Sequence, residues 1–197
     1  MVDNIHPIFN QSLQAADKEK KLTQKGLVIW MVGLSGSGKS TLATGLENKL
    51  HEAGYHTMLL DGDNLRSGIN SNLSFSDSDR LENIRRASEI AKLFANNGTV
   101  TICSLISPTK QIRELASSIL GDKYYEVFVN CPLKVCEERD VKGLYAKARN
   151  GEIKNFTGID SPFEDPDNPN LEIKTDLLSL NDSLDLLFEN IVSKIKY

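Results

Sequence analysis

Along this chain, apolar residues alternate between short unbroken runs and helical stripes. LVIWMV (27–32) is a continuous apolar run of strand length, followed by a glycine-rich turn. From Lys39 to about Ala53, Leu42, Ala43, Leu46 and Leu50 recur at helical spacing. HTMLLD (56–61) predicts a second strand. SDSDRLENIRRASEIAKLFANNG (76–98) predicts a long helix, with acidic residues in its first turn and Gly98 past its end. TVTICSLI (99–106) reads as a buried strand, PTKQIRELASSIL (108–120) as a helix opened by proline, and YYEVFVN (124–130) as a fourth strand. The chain closes on a short strand near LEIKT (171–175) and a helix that SLND (179–182) caps as a Ser-x-x-Asp box, with Leu184, Leu187, Phe188, Ile191 and Ile195 on its apolar stripe.

Strands and helices in alternation imply an α/β fold: a parallel five-stranded sheet with helices on both faces. Sites in such sheets lie outside the carboxyl ends of the strands. Those ends carry Gly33 to Ser40, Asp61 with Asp63, Ser107 with Pro108, and Asn130 with Cys131. Between the fourth strand and the last, residues 136–170 mix charge, glycine, proline and scattered aromatics without a strong apolar stripe. That composition predicts a mobile lid insert at about 139–160. At 197 residues the chain suits one core, so residues 1–25 are expected to form an N-terminal extension and 26–197 a single domain.

Charge and composition then narrow the partners. A net charge of -4 lacks the basic excess of a nucleic-acid binder, so an anionic ligand has to be held by local positive groups. The longest apolar run, GLVIWMVG (26–33), falls far short of the ~20 residues that cross a bilayer, so no membrane span is expected. The first 25 residues lack the apolar region of a secretory signal, which points to the cytoplasm. Cys103, Cys131 and Cys136 show no metal-ligand spacing and read as buried reduced thiols.

GLSGSGKS, from Gly33 through Leu34, Ser35, Gly36, Ser37, Gly38 and Lys39 to Ser40, matches G-x-x-x-x-G-K-[ST] between a predicted strand and a predicted helix. Backbone amides in such a loop turn inward on phosphate oxygens, the lysine reaches the outer phosphates, and the hydroxyl binds Mg2+. A P-loop NTPase fold binding ATP and Mg2+ follows, with Lys39 expected on a solvent-facing loop. No N-K-x-D guanine motif is present; the lone Asn-Lys lies in NKLH (48–51) on the phosphate-loop helix. TVTICSL also lacks a terminal aspartate, so the metal and base carboxylates have to come from LLDGDNLR (59–66), which alone would read as a turn.

GLSGSGKST, LLDGDNLRSGIN, NLSFSDSDRLENIRR, LISP, VFVNCPLKVCEERDVKGLYAKARNGEIKNFTGIDSPFE and NPN, in this order over about residues 25–195, together resemble the adenylylsulfate kinase (APS kinase) family. The resemblance implies ATP-dependent phosphorylation of the ribose 3'-hydroxyl of adenosine 5'-phosphosulfate (APS), giving PAPS and ADP in sulfate activation. It also implies a homodimer.

The resemblance assigns roles residue by residue. Asp61 and Asp63 divide proton acceptance from ordering of the Mg2+ shell, which Ser40 shares, and the two tasks stay undivided between them. Arg66 and Arg80 offer guanidinium forks to the phosphosulfate. Asn83 reads the adenine edge or holds the ribose, and Phe75 and Phe156 stack the acceptor adenine. Thr41, Arg139, Lys142, Lys147 and Arg149 join the phosphate loop around the triphosphate. Ile106, Ser107, Lys142, Lys154, Thr157 and Gly158 complete the acceptor site. For Ser107 the family carries a proposed phosphoserine intermediate; direct in-line transfer needs none, and a backbone and hydroxyl contact is the reading adopted.

ISPTKQIRE departs from the family pattern, with Thr109 and Ile112 in place of an aromatic and an acid, while Arg113 and Glu114 match. Two rivals stand beside this reading: a kinase of the same fold for another small acceptor, and a regulatory domain that binds nucleotide without turnover.

Overall fold

The computed structural model describes residues 4–197. Five parallel strands, β1 (Leu27–Val32), β2 (Thr57–Asp61), β3 (Val100–Ser104), β4 (Tyr124–Asn130) and β5 (Leu171–Lys174), lie in the order β2-β3-β1-β4-β5. The helices are α1 (Ala15–Leu22), α2 (Lys39–Glu52), α3 (Gly62–Ser67), α4 (Asp77–Ala95), α5 (Lys110–Leu120), α6 (Leu133–Arg139), α7 (Leu144–Arg149) and α8 (Leu180–Ile195).

Alternate residues of β1 face opposite layers, as the period of a strand requires. Ile29 and Met31 pack with Leu42 and Leu46 of α2 and Leu187 and Ile191 of α8. Val28, Trp30 and Val32 pack with Ala87, Ala91 and Ala95 of α4 and Ala116 and Leu120 of α5. The small alanines at i, i+4 and i+8 leave room for the large Trp30 in that layer. Both faces of the sheet are therefore covered, and the open positions lie at the strand ends.

Several element ends move by a few residues for identifiable reasons. The third strand stops at Ser104, short of the expected 106, because the chain turns left-handed at Ser107 (φ 49°). The following helix starts at Lys110: the side chain of Thr109 accepts from the Ile112 amide and caps it, and Ile112 is buried in the core. The residues that depart from the family pattern thus serve as a cap and a core contact. The long helix ends at Ala95 with Gly98 past its end in a left-handed conformation, as expected, and the Asp61 cluster opens a helix of its own, α3.

The N-terminal segment is docked at the amino ends of the strands. Glu19 accepts from the Gly26 amide (2.9 Å) and pairs with Lys123. The buried Gln24 side chain donates to the carbonyls of His56 and Gly98 and accepts from the His56 amide, bridging the approaches to β2 and β3.

The insert after β4 has apolar anchors that its sequence pattern did not reveal. Tyr145 of α7 is buried, its ring meets Phe156 edge-on at 5.0 Å, and both join Leu34 and Cys136 in a third apolar cluster. These anchors are spread over loops and short helices, so they produce no period.

Candidate active site

The phosphate loop leaves β1 against β4: a Cβ at Gly33 would lie 2.5 Å from the Val129 carbonyl oxygen, so only glycine fits. Gly38 takes φ 103° as the residue before α2, a left-handed conformation that turns the loop directly into the helix. The chain therefore presents the amino end of a 14-residue helix to the space above the sheet, where its partial positive charge favours anions.

Lys39 departs from expectation. It is 8% exposed, and its ammonium donates to the Gly33 (2.8 Å) and Leu34 (2.6 Å) carbonyls inside the loop. The first residue of a helix packed on the sheet starts from a buried backbone, and its long side chain has to curl back across the loop. Burial lowers its pKa to about 8.

One residue along, Ser40 Oγ donates to Asp61 Oδ2 at 2.9 Å and lies 3.3 Å from Ser104 Oγ. Asp61 Oδ1 accepts the Asp63 amide at 3.0 Å and caps α3, so the turn weighed for this aspartate is present, while its other oxygen faces Ser40. Asp63 and Lys142 form an exposed ion pair in front of this group. The hydrogen bond to Asp63 raises the Lys142 pKa. The structure thus brings Lys39, Ser40, Asp61, Asp63 and Lys142 together.

Arg139 reaches the loop from the far side, donating to the Thr175 carbonyl (2.7 Å), Thr175 Oγ1 and the Gly36 carbonyl. Arg149 is instead paired with Glu137 of α6 and does not join the cluster around Lys39. Its place one helical turn after Tyr145 points it along the insert. Lys147 and Lys154 are exposed, as is Thr41.

A second group lies along α3 and the start of α4. The Arg66 guanidinium stacks 4.3 Å above the Phe75 ring and donates to the Ser74 carbonyl (2.8 Å). Arg80 donates through Nε to the Phe75 carbonyl (2.9 Å) and through its terminal nitrogens to Thr157 Oγ1 (2.9 Å) and the Asn155 carbonyl. Arg80 therefore joins the loop carrying Phe75 to the turn carrying Phe156, Thr157 and Gly158. Partial burial comes first and Arg80 second in lowering the Arg66 pKa, a sign that two cations share this wall. Phe75 is exposed and Phe156 half-buried. Asn83 is buried, and its Oδ1 accepts from Asn70 (3.0 Å), which draws it into the wall behind the surface.

Ser107 also departs from expectation. It is 2% exposed, its hydroxyl accepts from the Trp30 indole (2.9 Å) and its carbonyl accepts from Arg113 (3.2 Å). A side chain held this way is not presented as a nucleophile, since the left-handed turn points it into the core. Its neighbour Ile106 is half-buried, and its carbonyl accepts from the Gly33 amide (3.4 Å).

Sequence reasoning missed four contributors to this region: Ser104, Tyr145, Thr175 and Trp30. Tyr145 donates to the Ser35 carbonyl (2.9 Å) and Thr175 to the Ser37 carbonyl (2.8 Å), so two distant segments grip the phosphate loop. Ser104 and Thr175 could have been found from the strand-end rule, because they end β3 and follow β5. Trp30 and Tyr145 carry no local signal beyond being apolar.

The arrangement suits phosphoryl transfer: a cationic loop at a helix start, a hydroxyl and a carboxylate in contact, a second carboxylate beside them, and two arginines on the adjoining wall. A family model for adenylylsulphate kinase matches residues 25–174. An adenylyl-sulfate kinase of Bacteroides fragilis is 55% identical over 194 residues, covering 98% of this chain and 96% of the relative. One from Clostridium acetobutylicum is 54% identical over 184 residues, covering 93% and 90%. Among solved structures, the Mycobacterium tuberculosis APS kinase in complex with AMPPNP and APS aligns with a TM-score of 0.82 at 46% identity, over 85% of this chain and 98% of that one. The match takes in every strand, the phosphate loop, both aspartates and the whole insert, and the chain belongs to the adenylylsulfate kinase family.

Proposed function

We propose that this chain transfers the γ-phosphoryl group of ATP to the 3'-hydroxyl of adenosine 5'-phosphosulfate, giving PAPS and ADP. The observation that carries this reading is that α3 joins two groups: Ser40 and Asp61 beside Lys39 at its start, and Arg66 at its end, with Arg80 around the Phe75 and Phe156 loops.

Within that frame the two aspartates differ. Both Asp61 oxygens are engaged, one with Ser40 and one with the helix cap, whereas Asp63 is exposed beside Lys142. We assign Asp63 to accept the proton of the acceptor hydroxyl, and Asp61 with Ser40 to hold Mg2+. Hydroxyl and carboxylate oxygens are the hard donors that Mg2+ takes. Bound there, Mg2+ would neutralise charge on the phosphate oxygens. Lys39 balances charge on the migrating group, and Arg139 and Lys142 flank the donor. Arg66 and Arg80 hold the phosphosulfate, and the faces of Phe75 and Phe156 take the acceptor base. Ser107 supports the reaction through its backbone, so transfer is direct. Residues 139–160 act as a lid over this site, and the catalytic unit extends over 26–197.

A cytoplasmic setting accords with three buried free cysteines, and among the described residues no helix is long and apolar enough to cross a membrane. The homodimer implied by family membership is read by light scattering in solution. The function itself is tested by following ADP release with adenylylsulfate against a panel of nucleotides and sugar acids. Turnover confined to adenylylsulfate supports the reading; equal turnover with another acceptor, or none with adenylylsulfate, overturns it.

A further inference from the structure

Arg113 lies one turn into α5, is 6% exposed, and takes no part in the chemistry described above. Its guanidinium faces two separate stretches of chain. Nη1 donates to the Ser107 carbonyl on one side (3.2 Å) and to the Glu164 carbonyl on the other (2.7 Å), and Nη2 donates to the Asp165 carbonyl (3.4 Å). Its charge is balanced within the core by Glu126 of β4, 3.7 Å from Nε, which also accepts from the Tyr124 hydroxyl. The same two stretches meet twice more. The Glu164 amide donates to the Pro108 carbonyl (2.8 Å), and the Lys110 amide to Glu164 Oε2 (2.6 Å).

The stretches joined here come from opposite sides of the acceptor region. One is the exit of β3, where Ser107 adopts a backbone conformation unusual for a residue with a side chain and is pinned through its hydroxyl by Trp30. The other is the arm that returns from the Phe156–Gly158 turn, which Arg80 holds from its far end through Thr157. A planar fork with several donors can serve carbonyls on both stretches at once, which a single ammonium does not reproduce.

We propose that Arg113 is a positioning residue that fixes the distance between the Ile106–Ser107 turn and the return arm of the insert, and thereby sets the width of the acceptor site without touching either substrate. This rests on the reading that these two stretches line the acceptor.

The test uses the full chain with R113K and with E164A. R113K keeps the charge beside Glu126 but not the fork. E164A removes an exposed side chain of the same seam, with its bond from the Lys110 amide, and leaves Arg113 in place. R113K should raise KM for adenylylsulfate about tenfold while KM for ATP stays within about twofold, and E164A should move the same constant in the same direction by a smaller factor. Hydrogen exchange without substrates should quicken in R113K at 105–110 and 158–166 together, with strand residues 100–104 unchanged. An unchanged acceptor KM in both variants, or an equal rise for ATP and acceptor, overturns the inference. If R113K fails to fold, E164A decides alone by the same constants. Wild-type protein that does not turn over adenylylsulfate overturns the functional reading instead. Wild-type turnover with unmoved acceptor constants in the variants overturns only the role of Arg113.

Discussion

Ser40 and Asp61, twenty-one residues apart, share a hydrogen bond of 2.9 Å while the second oxygen of the same carboxylate caps the helix that begins at Gly62. One side chain thus fixes the local turn and links it to the phosphate loop. The two roles separate by substitution. Asp61→Asn keeps an acceptor for the cap and should leave stability within about 0.5 kcal/mol, whereas Asp61→Ala loses the cap and should cost about 1 kcal/mol in urea unfolding. Both should lose turnover by about a hundredfold or more, and Asp61→Asn should need more Mg2+ to reach half its maximal rate. Full activity of Asp61→Asn at ordinary Mg2+ would remove Asp61 from the metal site.

Lys39 should write its burial into the pH dependence of stability. The unfolded chain keeps the Lys39 proton up to an ordinary pKa of 10.5, the folded chain only up to about 8. Between those values the unfolded state carries the extra proton, so the cost of the buried charge is complete below pH 8 and is relieved as pH rises towards 10.5. Relative to Lys39→Met, which has no such proton, the wild type should gain about 2 kcal/mol between pH 7.5 and pH 10. Parallel unfolding curves at the two pH values would show that the ammonium is not penalised in the fold. Transfer itself should be abolished in Lys39→Met at every pH.

The Asp63–Lys142 pair should matter to the chemistry and hardly to folding. Both side chains are well exposed, and ion pairs of that kind stabilise by less than about 1 kcal/mol. Asp63→Asn and Lys142→Ala should therefore melt near the wild type, and the first should lower kcat about a hundredfold while the second mainly raises KM for ATP. A large stability loss in either would make the pair structural.

Arg80→Ala should open the acceptor side. Removing its bonds to the Phe75 carbonyl and to Thr157 should weaken acceptor binding by about 1.5–3 kcal/mol with ATP binding near normal. Calorimetric titration of each ligand separates these, and an equal loss of ATP affinity would assign Arg80 to the donor.

Closure of the insert as a lid is tested by hydrogen exchange. Adding ADP and adenylylsulfate should raise protection across 139–160 far more than in 100–104, and Phe156→Ala should blunt that rise while leaving protection of the phosphate loop by ADP intact. Tyr145→Phe removes the bond to the Ser35 carbonyl and should loosen the loop and the insert together. A segment equally protected with and without the acceptor would make Phe156 a packing residue only.

The chain order of the five strands and of α2, α4, α5 and α8, and the place of the phosphate loop, were legible because all are written in short-range patterns, whereas the shorter α1, α3, α6 and α7 were not. An unbroken LVIWMV before GLSGSGKS fixes strand, turn and helix start from neighbours alone. Asp61 and Asp63 were legible because a parallel sheet directs all its strand ends to one side. Contacts between residues far apart in the chain were set by the folded arrangement instead. Lys39 turns inward because its carbonyl partners lie inside a loop whose curvature is set by packing against Val129 and Cys136. Ser107 is buried because Trp30, seventy-seven residues earlier, supplies a partner that no local spacing records. Arg149 goes to Glu137, and Tyr145 finds Phe156, because a solvent-rich insert leaves several equivalent pairings open until its short helices are placed on Leu34 and Cys136. Long charged side chains and scattered aromatics have no period, so their partners are chosen by the folded surface that each can reach.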